Sequence, residues 1–224
     1  IELSKMILKN HYDLLSKPVD KTKWALSADT INAAYSPTNN SINFPAAILQ
    51  APYYSLEQSK SENCGGIGAV IAHEISHAFD TNGSMYDEKG NMKNWWTEED
   101  YAEFEKRTQA MINLFDGIKY SDGKIDGKLT VTENTADAGG LSCALEVVKM
   151  MPDGDYKEFF TNWARIWVGK YTPETEKMML INVHSPGKLR TNMQLGNFEE
   201  FFEAFDINEG DKMWRAPEDR VTIW

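Results

Sequence analysis

The chain has little cysteine: 2 of its 224 residues, Cys64 and Cys143. Two cysteines are too few for a disulfide scaffold, and these two lack the paired spacing of a zinc–sulfur site. We expect both to be buried thiols in a reducing compartment. The sequence leaves open whether they can pair.

The chain also lacks a hydrophobic run of transmembrane length and any internal repeat or low-complexity segment. Its first residues do not have the pattern of a signal peptide, but a start in mid-helix without an initiator Met is uninformative. Positive charge is scarce, since 23 Lys and Arg face 34 Asp and Glu and leave a net charge of −11. This deficit argues against nucleic acid or an anionic membrane as the partner. The length suffices for one domain with a substantial core, or at most two small ones.

Only 4 histidines are present, and two of them lie in the motif His73-Glu74-Ile75-Ser76-His77. Residues four apart share a helix face, so both rings can reach one metal ion. Glu74 leaves the helix at another angle and can take a proton from a water in the metal's open position. The small, apolar residues 65–72 predict a buried helix, where unpaired imidazoles would be costly. This context favours a metal over the alternative, two surface histidines beside a solvated Glu.

A hydrolytic zinc site normally uses three protein ligands, so a third ligand must come from elsewhere in the chain. Glu133 is the best candidate, because residues 131–150 alternate polar and apolar side chains at helical spacing. Asp137 lies four residues on and shares its face, where it can accept the remaining ring N–H of a ligating His. The alternative is that Glu133 is a first-turn carboxylate that completes a capping box with Thr130.

Several more segments accompany these residues in order along nearly the whole chain: residues 32–35, 44–50, 65–80, 94–97, 133–141 and 183–187, the last leading to Arg190. Together they resemble the neprilysin-like zinc endopeptidases, and among them the bacterial oligopeptidase O type. The resemblance implies that His73, His77 and Glu133 bind zinc, that Glu74 is the general base, and that Asp137 stands behind the first His.

The resemblance also implies roles that the residues alone do not. His184 would stabilise the developing oxyanion and Arg190 would hold a substrate carbonyl; taken alone, they are a loop histidine and a surface cation. The implied substrate contacts are an edge segment that pairs with the peptide backbone, Asn32 and Ala33, and an apolar pocket, Ile48, Val70, Ile166 and Trp167. One departure is Ala34, where the family usually has an aromatic residue.

The fold implied is a mostly helical α+β domain over residues 1–224, of the thermolysin-like zincin class with a short β edge segment. It would hold one Zn²⁺ per chain and act on peptides. The family's N-terminal helical lobe, which caps the cleft, would be a partner absent from this chain. We expect a cytoplasmic, bacterial location, with an extracytoplasmic one as the alternative.

The expected activity is hydrolysis of short peptides before apolar residues, with Glu74 assisting attack by a zinc-bound water. A zincin aminopeptidase is one alternative, but nothing in the sequence marks an acidic group that would capture a free amine. A silent peptide-binding module with structural zinc is the other. Glu74 argues against it, because a structural site needs no base and is usually closed by four ligands.

Local patterns predict the secondary structure around these motifs. Thr97, with Asp100 three residues on, is a predicted N-cap for a helix to residue 115, and Thr172-Pro173 starts another helix. Further helices are predicted at residues 1–15, 156–171 and 198–205, and a strand at residues 41–44. Ser185-Pro186-Gly187 is predicted to be a turn that projects His184 into a cleft.

Overall fold

The structure is a computed structural model that describes residues 1–24 and 26–224. Helices dominate these ranges, as predicted, and the strands are short. The helices are α1 (Glu2–Leu14), α2 (Lys60–Asn63), α3 (Ala69–Ser76), α4 (Glu98–Phe115), α5 (Gly127–Lys149), α6 (Tyr156–Ile166), α7 (Pro173–Met179), α8 (Gly187–Leu195) and α9 (Glu199–Phe205). The strands are β1 (Ala34–Ser36), β2 (Ser41–Asn43), β3 (Lys119–Tyr120) and β4 (Gly123–Lys124).

The strands form two antiparallel hairpins, β1 with β2 and β3 with β4. In the first, Ala34 lies opposite Asn43 and Ser36 lies opposite Ser41. No described strand pairs with the other side of β1, so that edge keeps backbone groups able to receive an extended segment.

Helix α5 lies at the centre of the fold and packs against α3, α4 and α8. Its contact with α3 is close because glycine stands at the crossing: a Cβ on Gly140 would lie 2.6 Å from the carbonyl oxygen of Ala69 and 2.9 Å from the backbone nitrogen of His73. The short separation places the side chains of α5 directly opposite the HExxH histidines on α3. Hydrophobic residues of α5 and α6, including Leu141, Leu145 and Trp163, form the main core beside this contact.

The apolar stretch before the HExxH motif is not a regular α-helix. Cys64–Gly68 forms a π-helical turn, and Gly66 inside it has non-helical backbone angles (φ −97°, ψ −106°). A Cβ on Gly66 would lie 2.3 Å from the carbonyl oxygen of Tyr53, so this passage requires glycine. The predicted burial of residues 65–72 is confirmed for most of them but not for Ile71, which is exposed, and the kink sets the direction in which α3 begins.

Side-chain caps fix where α4 and α5 begin. Thr97 caps α4 as predicted, with its hydroxyl accepting from the N–H of Asp100. Helix α5 begins four residues earlier than predicted, because the Asp126 side chain accepts from two backbone N–H groups of the first turn. Glu133 therefore lies nearly two turns inside the helix, and the alternative of a capping box with Thr130 is wrong.

Two helix assignments near the site differ from the prediction. Helix α6 ends at Ile166 instead of residue 171, and Trp167 is its C-cap. The predicted turn at Ser185-Pro186-Gly187 opens a helix, α8, that the sequence analysis missed, with Pro186 as its N-cap. A Pro-Gly pair is typical of a turn, but proline also suits a helix start, where its missing N–H costs nothing.

Cys64 and Cys143 are both free thiols. Cys64 is partly buried, but Cys143 lies exposed on α5, so the prediction of two buried thiols is wrong for Cys143. Helical spacing explains the exposure, since Leu141, Ala144 and Leu145 take the buried face of α5 at this level. Within the described residues, no helix is both long enough and apolar enough to cross a membrane.

Candidate metal centre and cleft

Three side-chain atoms converge between α3 and α5. The Nε2 atoms of His73 and His77 are 3.0 Å apart, and Oε2 of Glu133 lies 3.5 Å from the first and 3.7 Å from the second. Ligand atoms in a tetrahedral zinc site are separated by roughly 3.4 Å, given metal–ligand distances near 2.1 Å. The three atoms are therefore spaced as a metal-binding set.

A carboxylate stands behind each histidine. Nδ1 of His73 lies 2.9 Å from Oδ1 of Asp137, and Nδ1 of His77 lies 2.5 Å from Oδ2 of Asp80. Carboxylates accept hydrogen bonds, so each Nδ1 carries the proton and each Nε2 of a neutral ring presents a lone pair. The two lone pairs then face each other across 3.0 Å, an arrangement that requires a cation or an added proton.

Glu133 places a third electron-rich atom, Oε2, beside the two Nε2 atoms. Its Oε2 is buried, and no described residue gives it a hydrogen bond of good geometry. A buried carboxylate oxygen without a partner is costly unless something positive binds it. The donor set of two imidazoles and one carboxylate, with this orphaned oxygen, fits Zn²⁺.

The histidines and carboxylates of the site change each other's pKa values. Burial opposes a charge on His73, but its contacts with the carboxylates of Asp137 and Glu133 outweigh burial and raise its pKa to about 9. Burial also opposes ionisation of Glu133, but nearby His184 and His73 hold its pKa well below the usual range. In the metal-free protein, a proton on His73 thus takes the place of part of the metal's charge.

Asp137 is held from its far side by Arg190 of α8. The guanidinium donates from Nε to Oδ2 at 2.7 Å and from Nη2 to Oδ1 at 2.6 Å, and both side chains are buried. Burial disfavours an ionised Asp137, but Arg190 outweighs it and lowers the pKa of the carboxyl group. The alternative that Arg190 is a surface cation is therefore wrong. Two of its donors are already committed to Asp137.

Glu74 is buried beside His73 on α3 and lines the same cleft. No described residue donates a hydrogen bond to its carboxylate, which is therefore available to a molecule in the cleft. Its position next to the converging nitrogens is the one that a general base needs.

His184 is half exposed, with its Nε2 3.2 Å from Oε2 of Glu133. Oδ1 of Asn182 accepts the backbone N–H of His184 at 2.8 Å and lies 3.0 Å from its ring Nδ1. His184 is thus a loop residue, as predicted, that the fold brings beside the metal-binding atoms.

A cleft of about 600 Å³ runs past these groups. It is lined by nearly all the predicted substrate-binding residues: Asn32, Ala33, Ile48, Val70, Trp167 and Arg190. Ile166 differs, because it is buried in the main core and is not among the lining residues. Trp163, four residues before Trp167 and on the same face of α6, lines the cleft instead.

Four residues of the site were not predicted from the sequence: Asp80, Asn182, Tyr53 and Trp163. Spacing could have indicated three of them, since Asp80 follows His77 by three residues, Trp163 precedes Trp167 by four, and Asn182 precedes His184 by two, as in an Asx turn. No local pattern marks Tyr53. Tyr53 reaches the cleft only because the chain around Gly66 brings its loop against α3.

A helix that carries His73 and has His77 as its C-cap, with a second helix that adds a glutamate, defines a metal site of the zincin class. The chain belongs to peptidase family M13, whose family model matches residues 32–221. Membership of this family implies zinc as the metal.

Relatives agree with this assignment over almost the whole chain. A neutral endopeptidase of Lactococcus lactis subsp. lactis (strain IL1403) is 52% identical over 225 residues, covering 100% of this chain and 36% of that protein. Neprilysin-1 of Caenorhabditis elegans is 39% identical over 232 residues, covering 96% of this chain and 30% of that protein. The chain therefore spans about a third of the length of these relatives.

Solved structures show the same fold. PepO from Lactobacillus rhamnosis HN001 superposes with a TM-score of 0.89 at 46% identity, covering 92% of this chain and 33% of that one. Zinc metalloprotease ZMP1 of Mycobacterium tuberculosis, in complex with an inhibitor, gives a TM-score of 0.86 at 38% identity, covering 94% and 35%. The zincin-type, mostly helical fold class predicted from the sequence is confirmed.

Proposed function

We propose that this chain is the catalytic portion of a zinc-dependent endopeptidase that hydrolyses short peptides before apolar residues. The observation that carries the proposal is the convergence of His73, His77 and Glu133 beside a buried Glu74 in a cleft. A neutral endopeptidase is among the relatives most similar to it. The family assignment supports a peptidase activity. The residues of this cleft support zinc-dependent cleavage before apolar residues.

His73, His77 and Glu133 would hold one Zn²⁺ per chain. Bound there, zinc would lower the pKa of a water to about 7 and polarise the substrate carbonyl. Asp137 and Asp80 keep the proton of each ring on Nδ1, so that both Nε2 atoms face the metal position. The two carboxylates thereby fix ring orientation before any metal arrives.

Glu74 would take the proton of the attacking water and later give it to the leaving amine. Its buried carboxylate accepts no hydrogen bond from a described residue, so it has no competing partner. General base catalysis of this kind contributes roughly 10²- to 10⁴-fold in rate.

His184 and Arg190 would bind the substrate on either side of the reacting carbonyl. His184 lies near Glu133 on a loop held by Asn182; in the doubly protonated ring, Nδ1 donates to Asn182 and Nε2 can donate to a developing oxyanion. Arg190 commits the N–H of Nε and one N–H of Nη2 to Asp137, which leaves the second N–H of Nη2 and both N–H groups of Nη1 to donate to a substrate carbonyl.

The cleft walls suit an extended peptide. Asn32 and Ala33 precede β1, and the unpaired edge there can pair with a peptide backbone irrespective of sequence. Ile48, Val70 and Trp167 offer apolar surface for the side chain after the scissile bond. In the longer protein, an N-terminal helical lobe would cover this cleft and restrict it to short substrates.

The test compares hydrolysis of an internally quenched peptide with an apolar residue after the scissile bond. Wild type and Glu74→Gln are measured at equal zinc content, with Glu203→Gln, an exposed glutamate of α9, as the matched control. We expect Glu74→Gln to lose at least about a hundredfold in kcat and the control to keep the wild-type rate. Equal rates for wild type and Glu74→Gln would contradict the proposal.

A further inference from the structure

Trp167 lines the apolar wall of the cleft and also contacts the guanidinium group of Arg190. The guanidinium carbon of Arg190 lies 3.7 Å from the centre of the Trp167 ring. The planar face of the guanidinium therefore rests on the indole, while its edge donates twice to Asp137. A stacked ring and a bidentate carboxylate restrain the guanidinium in two perpendicular directions.

The contacts continue from Arg190 to the metal-binding histidine. Oδ1 of Asp137 accepts from Nη2 of Arg190 at 2.6 Å and lies 2.9 Å from Nδ1 of His73. Asp137 and Arg190 are buried, so water cannot replace either partner. The position of the carboxylate that orients His73 thus depends on where Arg190 is held.

Packing, and not a hydrogen bond, holds the indole in place. Its N–H is buried and finds no acceptor among the described residues. The ring meets Trp163 edge-on at 5.4 Å, and a Cβ on Gly187 would lie 2.6 Å from the carbonyl oxygen of Trp167. This close approach fixes Trp167 against the first turn of α8, the helix that carries Arg190.

We infer that Trp167 is a positioning residue for His73, acting through Arg190 and Asp137. The inference rests on the proposed role of His73 as a zinc ligand. Because Trp167 also lines the cleft, one residue serves both the apolar wall and the metal centre. A substrate side chain that packs on this ring would therefore act on the metal centre as well as on affinity.

The test measures zinc affinity of the chain itself by competition with a chelator, which requires no peptidase activity. We expect Trp167→Leu to weaken zinc binding about three- to tenfold, because leucine fills space but has no ring face for the guanidinium. Trp167→Phe restores an aromatic face and should recover most of the loss. A purely space-filling role would not distinguish the two variants in this way.

A matched control breaks the same kind of contact outside the cleft. Arg220 stacks on Phe202 at 4.7 Å, so Phe202→Leu should lower thermal stability and leave zinc affinity at the wild-type value. Should Trp167→Leu fail to fold, Trp167→Phe and wild type carry the test through nuclear magnetic resonance. Zinc should shift the Arg190 Nε–H resonance in wild type, and Trp167→Phe should alter its exchange with solvent.

The outcomes separate the two proposals. Loss of zinc affinity in Trp167→Leu, with recovery in Trp167→Phe, is the expected result. Wild-type zinc affinity in Trp167→Leu, or an Arg190 resonance unmoved by zinc, would overturn the inference alone. If His73→Ala binds zinc with the same affinity as the wild type, the proposed metal site and the inference are both overturned.

Discussion

Asp80 lies three residues after His77, and its Oδ2 is 2.5 Å from the Nδ1 of that ring. Its other oxygen accepts the backbone N–H groups of Asn82 and Gly83, both at 2.8 Å. One buried carboxylate therefore orients a histidine of the candidate metal site and also shapes the loop that leaves α3. The histidine motif and the chain after it are fixed by the same side chain.

We expect Asp80→Asn to weaken zinc binding about ten- to a hundredfold. The asparagine oxygen can still accept from the loop, but its amino group then faces the N–H of His77 and cannot accept it. Zinc affinity measured by chelator competition is the test. Asp87→Asn is the matched control, since Asp87 also caps an exposed turn by accepting backbone N–H groups. Equal affinities for the two variants would remove Asp80 from the metal centre.

Glu133→Ala and His184→Ala should separate metal binding from turnover. Without Glu133 only two protein ligands remain, so we expect the variant to lose its zinc on dialysis. His184→Ala should keep a full zinc complement and lose on the order of a hundredfold in kcat, because an oxyanion donor is gone. Metal analysis with peptide hydrolysis decides this. A zinc-replete Glu133→Ala protein is incompatible with the ligand set.

Zinc affinity should rise with pH. In the metal-free protein the pKa of His73 is raised to about 9, so near neutral pH the ring carries a proton that zinc must displace. We expect affinity to rise up to about tenfold per pH unit from pH 7 and to level off above pH 9. Calorimetry in buffers of different ionisation enthalpy would count the released proton. Binding without proton release at pH 7 would show that His73 is already neutral.

The same raised pKa fixes the sign of the stability change without metal. A folded-state pKa above the ordinary 6.5 means that protonated His73 stabilises the metal-free fold. This contribution is fully present below pH 6.5 and is lost as the pH rises through 9. Urea unfolding of the metal-free protein, with His73→Ala as the control that lacks the dependence, measures it.

Gly140→Ala should disturb the metal centre from outside it. The new Cβ would lie 2.6 Å from the carbonyl oxygen of Ala69, so α3 and α5 must separate. We expect a loss of about 1–3 kcal/mol in the free energy of unfolding, with weaker zinc binding. Gly68→Ala is the matched control, because its nearest neighbour is at an ordinary 3.4 Å. Chemical denaturation of both variants is the measurement, and an equally small loss for both would mean that the helices do not touch at Gly140.

The sequence predicted the features that depend on near neighbours in the chain. Residues four apart on a helix share a face, so the pairing of His73 with His77 needed no tertiary information. The cap at Thr97 was equally local. Helix α8 escaped prediction because proline and glycine at its start favour a turn as much as a helix, and neither signal alone decides.

The amino-acid sequence by itself determined that two imidazoles and a carboxylate would leave one turn of helix together, since helical geometry allows nothing else. Only the tertiary structure decided which distant groups met them. Glycine at the crossing of α3 and α5 lets the backbones approach closely enough for Glu133 and Asp137 to reach His73. The burial of Arg190 against Asp137 and Trp167 likewise follows from how α8 packs, because contacts between remote segments depend on the whole core and leave no local pattern.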